Sequence, residues 1–495
     1  MSIVRPSLVP PEIFAAMGAA PTDEQWRAIS WPLEPCVLIA GAGSGKTSVM
    51  AARVVYLALA ALGGIDGVDP EQGVLPGNVL CLTFTNKATD NLRLRVRRAL
   101  STLELAEGEE PEVLNYHGFA ASLLERYGVL AGFEPGARVL TQAQRSELCS
   151  SVLDRMTFEH AAATWQPSLV SKILELDEQP QNHRVRPVQI QAHVAARLEL
   201  LKNARSNRVY EAAEERLELA EACARYRELK RELGVIDFGD QIDRAIEIAE
   251  RYPQIVADHR ARFRAVLLDE YQDTNVAQAD LMHALFGDGH PVTAVGDPDQ
   301  NIYAWRGASL YNLLEFPERF PRSEGSPAAR LPLYTNFRSG ARILAAADTI
   351  IGPIPDAQRP DPDKELRPDP ANGEGEVAVA RHMDEWTEAR SIAERVVALR
   401  ATGAAWSPRV RARGPRPEGV GGARQDPARP SVPRRVQGPR ARRPARDARI
   451  EADARVHDRG RRRGRALPFR RSARAARRGR GPVRPGADQA HRLPR

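Results

Sequence analysis

Cysteine is scarce in this 495-residue chain: Cys36, Cys81, Cys149 and Cys223 stand far apart and form no C-x-x-C pair. That spacing gives neither a disulfide framework nor a zinc signature, and it suits a reducing cytoplasm. Long apolar runs are also missing. The uncharged run VVYLALAALGGI from Val54 falls short of the roughly 18 to 20 residues that a membrane span needs, so no membrane partner is expected. Only Arg5 precedes the short apolar stretch IFAAMGAA, which itself follows Glu12, and nothing there reads as a signal peptide. Lysine disappears after Lys364, and beyond Ser407 the only aromatic residue is Phe469.

Charge, by contrast, is plentiful and unevenly placed. The chain carries a net +7. Residues 408–495 hold 28 Arg, no Lys and 7 acidic residues, hence +21, which leaves −14 for residues 1–407. The basic balance therefore belongs to an Arg, Pro, Gly and Ala-rich tail in which no stretch could bury a core, and disorder is its physical expectation. The remainder is long enough for several independent cores.

Along that remainder, PTDEQWRAIS reads as a capped amphipathic helix, CVLIA as a buried strand and SVMAARVVYLALAAL as a helix. The runs NVLCLTF, RAVLLDE and PVTAVGD read as further apolar strands, and short strands separated by helices predict a parallel α/β sheet. Ala121 to about Arg231 has helical spacing without a strand pattern and is read as a helical insertion. After Arg330, LPLYTNFRSGARILAAADTII predicts a strand, a loop and a helix opening a second α/β domain. EVAVARHMDEWTEARSIAERVVALRATG is read as another strand and helix.

The stretch GAGSGKT, Gly41–Thr47, fits G-x-x-x-x-G-K-[ST] between a buried strand and a helix. Gly41, Ala42, Gly43, Ser44, Gly45, Lys46, Thr47 and the adjoining Ser48 are thus candidate nucleotide-binding residues. Glycines let successive N–H groups converge on phosphate oxygens, Lys46 reaches the β and γ phosphates, and Thr47 offers a hydroxyl to Mg²⁺. Such a site also needs a second magnesium contact and a base for the attacking water. AVLLDEYQD supplies Asp269 for the metal, directly or through water, and Glu270 for the base. Taken alone, an Asp-Glu pair after an apolar strand more often opens a helix; the P-loop reverses that preference.

VGDPDQNIYAWRGA, Val295–Ala308, crowds Asp297, Asp299 and Gln300 at a strand end and then offers Tyr303, Trp305 and Arg306, where a loop ordinarily carries small polar residues. Together with PTDEQ, GAGSGKT, LTFTNKAT, NYHGF, DFGDQ, LLDEYQDTN and TNFRS, all in order, it makes residues Pro21 to about Ser407 resemble superfamily 1 DNA helicases of the UvrD, Rep and PcrA group.

The resemblance implies a RecA-like ATP-binding domain over 11–120 and 232–330, a helical insertion over 121–231, and the beginning of a second RecA-like domain over 331–407, followed by the 408–495 tail. It implies that Gln25 recognises adenine, that Gln300 senses the γ phosphate and that Arg338 reaches it as an arginine finger. Phe337 stands where the family usually has Tyr and keeps a ring able to stack on adenine. Phe84, His117, Tyr303 and Trp305 occupy positions that contact single-stranded DNA in this family, and Thr83, Thr85, Asn86 and Lys87 suit backbone contacts. Phe84 as core, His117 as a structural histidine and Tyr303 packed beneath Trp305 stay open as alternatives. The implied function is an ATP-dependent 3′-to-5′ helicase acting on single strands and duplex junctions, with repair or replication proteins as partners. The alternative is an ATP- and DNA-binding protein without motor activity, because nothing after Ser407 resembles the family's later motifs. The tail is read either as an arginine-rich arm binding nucleic acid or as an out-of-frame segment, and its lack of lysine favours the second.

Overall fold

In the computed structural model, residues 9–106, 108–132, 138–161, 166–201, 208–355 and 361–401 are described. The tail from Ser407 lies outside them. Six strands form one sheet in the order Glu112–Asn115, Val79–Thr83, Ala265–Leu268, Val292–Gly296, Cys36–Ala40 and Ala329–Leu333, every pairing parallel. The four central strands are buried residue by residue. They can be continuous apolar runs because helices cover both faces of the sheet. Alternate residues face opposite layers: Val37, Ile39, Leu80, Leu82, Val266 and Leu268 join one core, and Cys36, Leu38, Cys81 and Leu267 the other. All four cysteines are free and buried. No helix among the described residues is long and apolar enough to cross a membrane.

The carboxyl ends of neighbouring strands carry Phe84, Asp269, Asp297 and Gly41 side by side. In open α/β sheets that edge, where the strand order reverses, is where ligands bind.

Helices Gln142–Leu153, Gln166–Asn182, Pro187–Leu200 and Arg208–Glu232 fill the segment read as helical. Their own core includes Cys149, Leu174, Cys223 and Tyr226. A two-residue strand, Arg138–Val139, paired with Val235–Ile236, interrupts the helices where none was expected. At this junction Lys230, buried, lies 3.1 Å from Asp177, 2.7 Å from Asp237 and 2.8 Å from Asp240. Burial alone would lower the Lys230 pKa, but Asp240, Asp177 and Asp237 outweigh it and hold the ammonium above the ordinary lysine value. Lys230→Met strands these carboxylates in the interior, and thermal or urea denaturation should record a loss of about 3–5 kcal/mol. A loss below about 1 kcal/mol, the size of a surface pair, would show the cluster to be solvated.

Two expectations need correction, and one strand went unread. The strand Ala329–Leu333 does not open a second domain: it pairs with Cys36–Ala40 as the last strand of the first sheet. The strand Glu112–Asn115 escaped notice because only Val113 in it is buried. EVAVA forms no strand; Val379 is 95% exposed and finds no neighbour to pair with among the described residues, although the helix after it, Glu385–Ala401, is present.

Candidate nucleotide site and aromatic track

The P-loop turns from strand into helix through Gly43 at φ 77° and Gly45 at φ 83°, left-handed values that an L side chain tolerates poorly. Gly45 caps the helix Lys46–Ala61, so the loop's N–H groups and the helix dipole share one focus suited to an anion. Lys46 Nζ sits 2.7 Å from Glu270 Oε2. Glu270 itself holds φ at 48°, a strained conformation for a non-glycine residue, of a kind costing on the order of 1–3 kcal/mol and kept where function requires it. Burial, and then Glu270 next to it, push the Asp269 carboxyl up to about 7; burial and Glu270 do the same to Asp273. One carboxylate oxygen of Asp273 is buried without a hydrogen-bond partner.

The other nucleotide candidates are tied into the same loop. Gln25 is buried; its amide accepts from the Thr22 N–H at 3.1 Å and donates to the Ser44 carbonyl at 3.1 Å, completing the helix cap while gripping the P-loop. Ser48 Oγ accepts from Arg95 at 2.7 Å. Asn336 donates to the Ala42 carbonyl at 2.5 Å and the Phe337 N–H to the Gly43 carbonyl at 2.9 Å, so TNFRS rests on the loop. Arg338 follows with an exposed side chain. A methyl group added at Gly43 would lie 2.7 Å from the Arg338 Cβ.

From Lys46 a polar chain runs across the sheet edge. Glu270 Oε2 also accepts from Gln272 Nε2 at 2.9 Å, and Gln272 Oε1 accepts from the Asp297 N–H at 3.0 Å. Asp297 Oδ2 in turn accepts from Gln300 Nε2 at 2.5 Å. Gln272 and Asn336 lie inside the quoted motifs LLDEYQDTN and TNFRS but went unassigned, because a lone polar residue does not announce its partner. Arg95 lay in a helix with nothing to distinguish it from an ordinary basic face.

Beyond Gln300 come the rings. Phe84 and Tyr303 approach with centroids 5.4 Å apart, and Tyr303 and Trp305 with centroids 6.5 Å apart. Trp305 is 67% exposed, with the Arg306 guanidinium 4.8 Å from its ring centre. The loop is anchored from the helical segment: Gln179 donates to the Trp305 carbonyl and Asn182 to the Arg306 carbonyl, at 3.1 and 3.3 Å. His117 packs edge-on against Phe238, which is 56% exposed, and burial lowers the His117 pKa. Phe238, in DFGDQ, was passed over because it immediately follows the capping residue Asp237, where an apolar side chain reads as core.

Among the DNA candidates, Asn86 and Lys87 are exposed, with Asn86 accepting from Asn115 at 2.5 Å, and Thr85 caps the helix Asn86–Leu100. Thr83 sits differently from these, with its hydroxyl buried and lacking a hydrogen-bond partner. It is fully buried at the end of the central strand Val79–Thr83.

Fold and edge together define a P-loop α/β protein with an aromatic loop at the same sheet edge as its candidate phosphate site. The chain belongs to the UvrD/REP helicase family: the model of the UvrD/REP helicase N-terminal domain matches residues 21–321. It is 28% identical over 383 residues to DNA helicase II of Escherichia coli, covering 77% of this chain and 46% of that protein. It is 30% identical over 402 residues to the ATP-dependent DNA helicase UvrD1 of Mycobacterium tuberculosis, with the same shares of 77% and 46%. To the ATP-dependent DNA helicase PcrA of Staphylococcus epidermidis it is 29% identical over 336 residues, 66% of this chain and 39% of that one. The chain thus spans under half the length of these relatives.

Proposed function

We propose that this chain binds ATP with Mg²⁺ at the P-loop and couples its hydrolysis to 3′-to-5′ movement along single-stranded DNA, opening duplex at a junction. The observation that carries this reading is the polar chain from Lys46 through Glu270, Gln272 and Asp297 to Gln300, three residues before Tyr303 and five before Trp305.

The residues present suit the ligands. Thr47 and Asp269 are hard oxygen donors of the kind Mg²⁺ takes, and the raised Asp269 pKa is that of a buried carboxylate short of positive charge. Bound there, Mg²⁺ would neutralise charge on the phosphate oxygens. Lys46 draws the terminal phosphates to the loop, and Glu270 orients water and takes its proton. Gln300 reads whether the γ phosphate is present, and Arg338 reaches it from the far side. Gln25 and Phe337 flank the base. We assign 11–120 and 232–330 to the ATP-binding domain, with the strand Ala329–Leu333 completing its sheet, 121–231 to the insertion and 334–407 to the start of a second domain. On the DNA side Phe84, His117, Tyr303 and Trp305 offer rings to bases, while Asn86 and Lys87 reach the strand's backbone.

A second reading, binding of ATP and DNA without motor action, draws on one observation: Val379, Met383 and Trp386 stand 84–97% exposed at and before the helix Glu385–Ala401, in which no residue is buried. Partial duplexes with a 3′ or a 5′ tail separate the two. ATP-dependent displacement from the 3′-tailed substrate alone is expected; tight strand binding with no displacement from either favours the second reading. In the displacing protein, Arg338→Ala should leave nucleotide affinity nearly unchanged and lower turnover by about 10³-fold or more. Equal loss of both, read by calorimetry and steady-state hydrolysis, would remove Arg338 from the finger role.

A further inference from the structure

The last lysine of the sequence sits at the end of the polar chain. Lys364 has a side chain only 3% exposed and pairs with Asp297, itself 2% exposed, and with Asp299 at 2.6 Å. One carboxylate, Asp297, therefore receives the Lys364 ammonium on Oδ1 and the Gln300 amide on Oδ2. Burying an ammonium is costly even with good partners, so such a pair is weak evidence for a role in stability alone.

The segment that delivers Lys364 also touches the rest of the nucleotide site. Leu366 packs over Gly41 so closely that a methyl group there would collide with it. Arg367 pairs with Glu24 in the helix that carries Gln25, and its N–H donates to the Tyr334 carbonyl at 2.9 Å. Asp361 pairs at 3.3 Å with Arg330 of the edge strand. Asp361–Pro368 is thus strapped to the P-loop, to the helix beside it and, through Lys364, to the loop that bears Gln300.

We propose that Lys364 is a positioning residue for Gln300: by holding Asp297 it fixes where the Gln300 amide waits, and with it the contrast between a bound triphosphate and a bound diphosphate. The proposal rests on the nucleotide reading above. Lys364 touches neither substrate nor reacting atoms in this role; it acts through Asp297. A merely structural ion pair would affect stability and leave nucleotide discrimination alone.

Calorimetry on the full 495-residue chain with Mg·ATPγS and with Mg·ADP gives the ratio of the two affinities, which a general loss of stability does not move. The unaltered protein should prefer ATPγS. Lys364→Met should erase about tenfold of that preference, and Lys364→Arg, which keeps a cation at Asp297, should restore most of it. Should Lys364→Met fail to fold, Asp299→Asn removes only the half-exposed arm of the clamp and should shift the ratio in the same direction by a smaller factor. A preference unchanged in Lys364→Met, or in Asp299→Asn if that alone folds, overturns the proposal, as does an unaltered protein that binds both nucleotides equally. Failure of the unaltered protein to bind either nucleotide instead overturns the nucleotide reading itself.

Discussion

Glu270→Gln is expected to lower ATP turnover by about 10²–10⁴-fold, the range a positioned general base contributes, while nucleotide affinity holds or rises. The direction follows from the geometry. Glu270 occupies a left-handed backbone conformation at the end of a central strand, 2.7 Å from Lys46. The amide keeps the side chain's size and its hydrogen bond with Gln272 but loses basicity and the ion pair, which leaves Lys46 freer to meet phosphate. Steady-state hydrolysis and calorimetry on the same preparation test both halves. Turnover within tenfold of the unaltered protein would assign the base elsewhere, with Asp273, buried and lacking a partner on one oxygen, the next residue to examine.

Trp305→Ala is expected to weaken single-strand binding by the worth of one stacked base, about 1–3 kcal/mol or roughly 5- to 150-fold, with ATP affinity unchanged. Most of the Trp305 ring is open to solvent, its backbone is held from the helical segment by Gln179, and Arg306 lies against it. Losing the ring therefore removes a binding surface without opening a core. Tyr303 and Phe84 remain paired, so binding should weaken and not vanish. Fluorescence anisotropy with a labelled oligothymidylate reads the first effect, and DNA-stimulated hydrolysis should fall with it. Undiminished affinity and stimulation would take Trp305 off the track.

The parts of this architecture legible in the sequence were those that depend on local composition. Buried parallel strands such as Cys36–Ala40 and Ala265–Leu268 announce themselves as apolar runs, and a P-loop is one contiguous motif whose glycines have a local backbone reason. What the sequence hid was pairing. Ala329–Leu333 follows a long loop and reads as a new beginning, yet its hydrogen bonds go to Cys36–Ala40, nearly 300 residues earlier. Thr83 adjoins the exposed Thr85, Asn86 and Lys87, yet its side chain is buried at the strand end, a placement that sequence does not show. Asp297 and Lys364 come from separate stretches of chain, and neither predicts the other without the fold. Gln272 and Asn336 were in view within recognised motifs, but the carbonyls and amides they serve are set by tertiary placement.

The central claim is that the state of the terminal phosphate dictates how firmly the aromatic loop holds an unpaired strand. A ligand can shift a protein between two arrangements only by as much as it distinguishes them. The direct measurement is the affinity for a labelled oligothymidylate in saturating Mg·ATPγS and in saturating Mg·ADP. The account predicts affinities differing by about fivefold or more, within the usual span of coupling between two sites. Identical affinities in the two nucleotide states, with both nucleotides demonstrably bound, would contradict it.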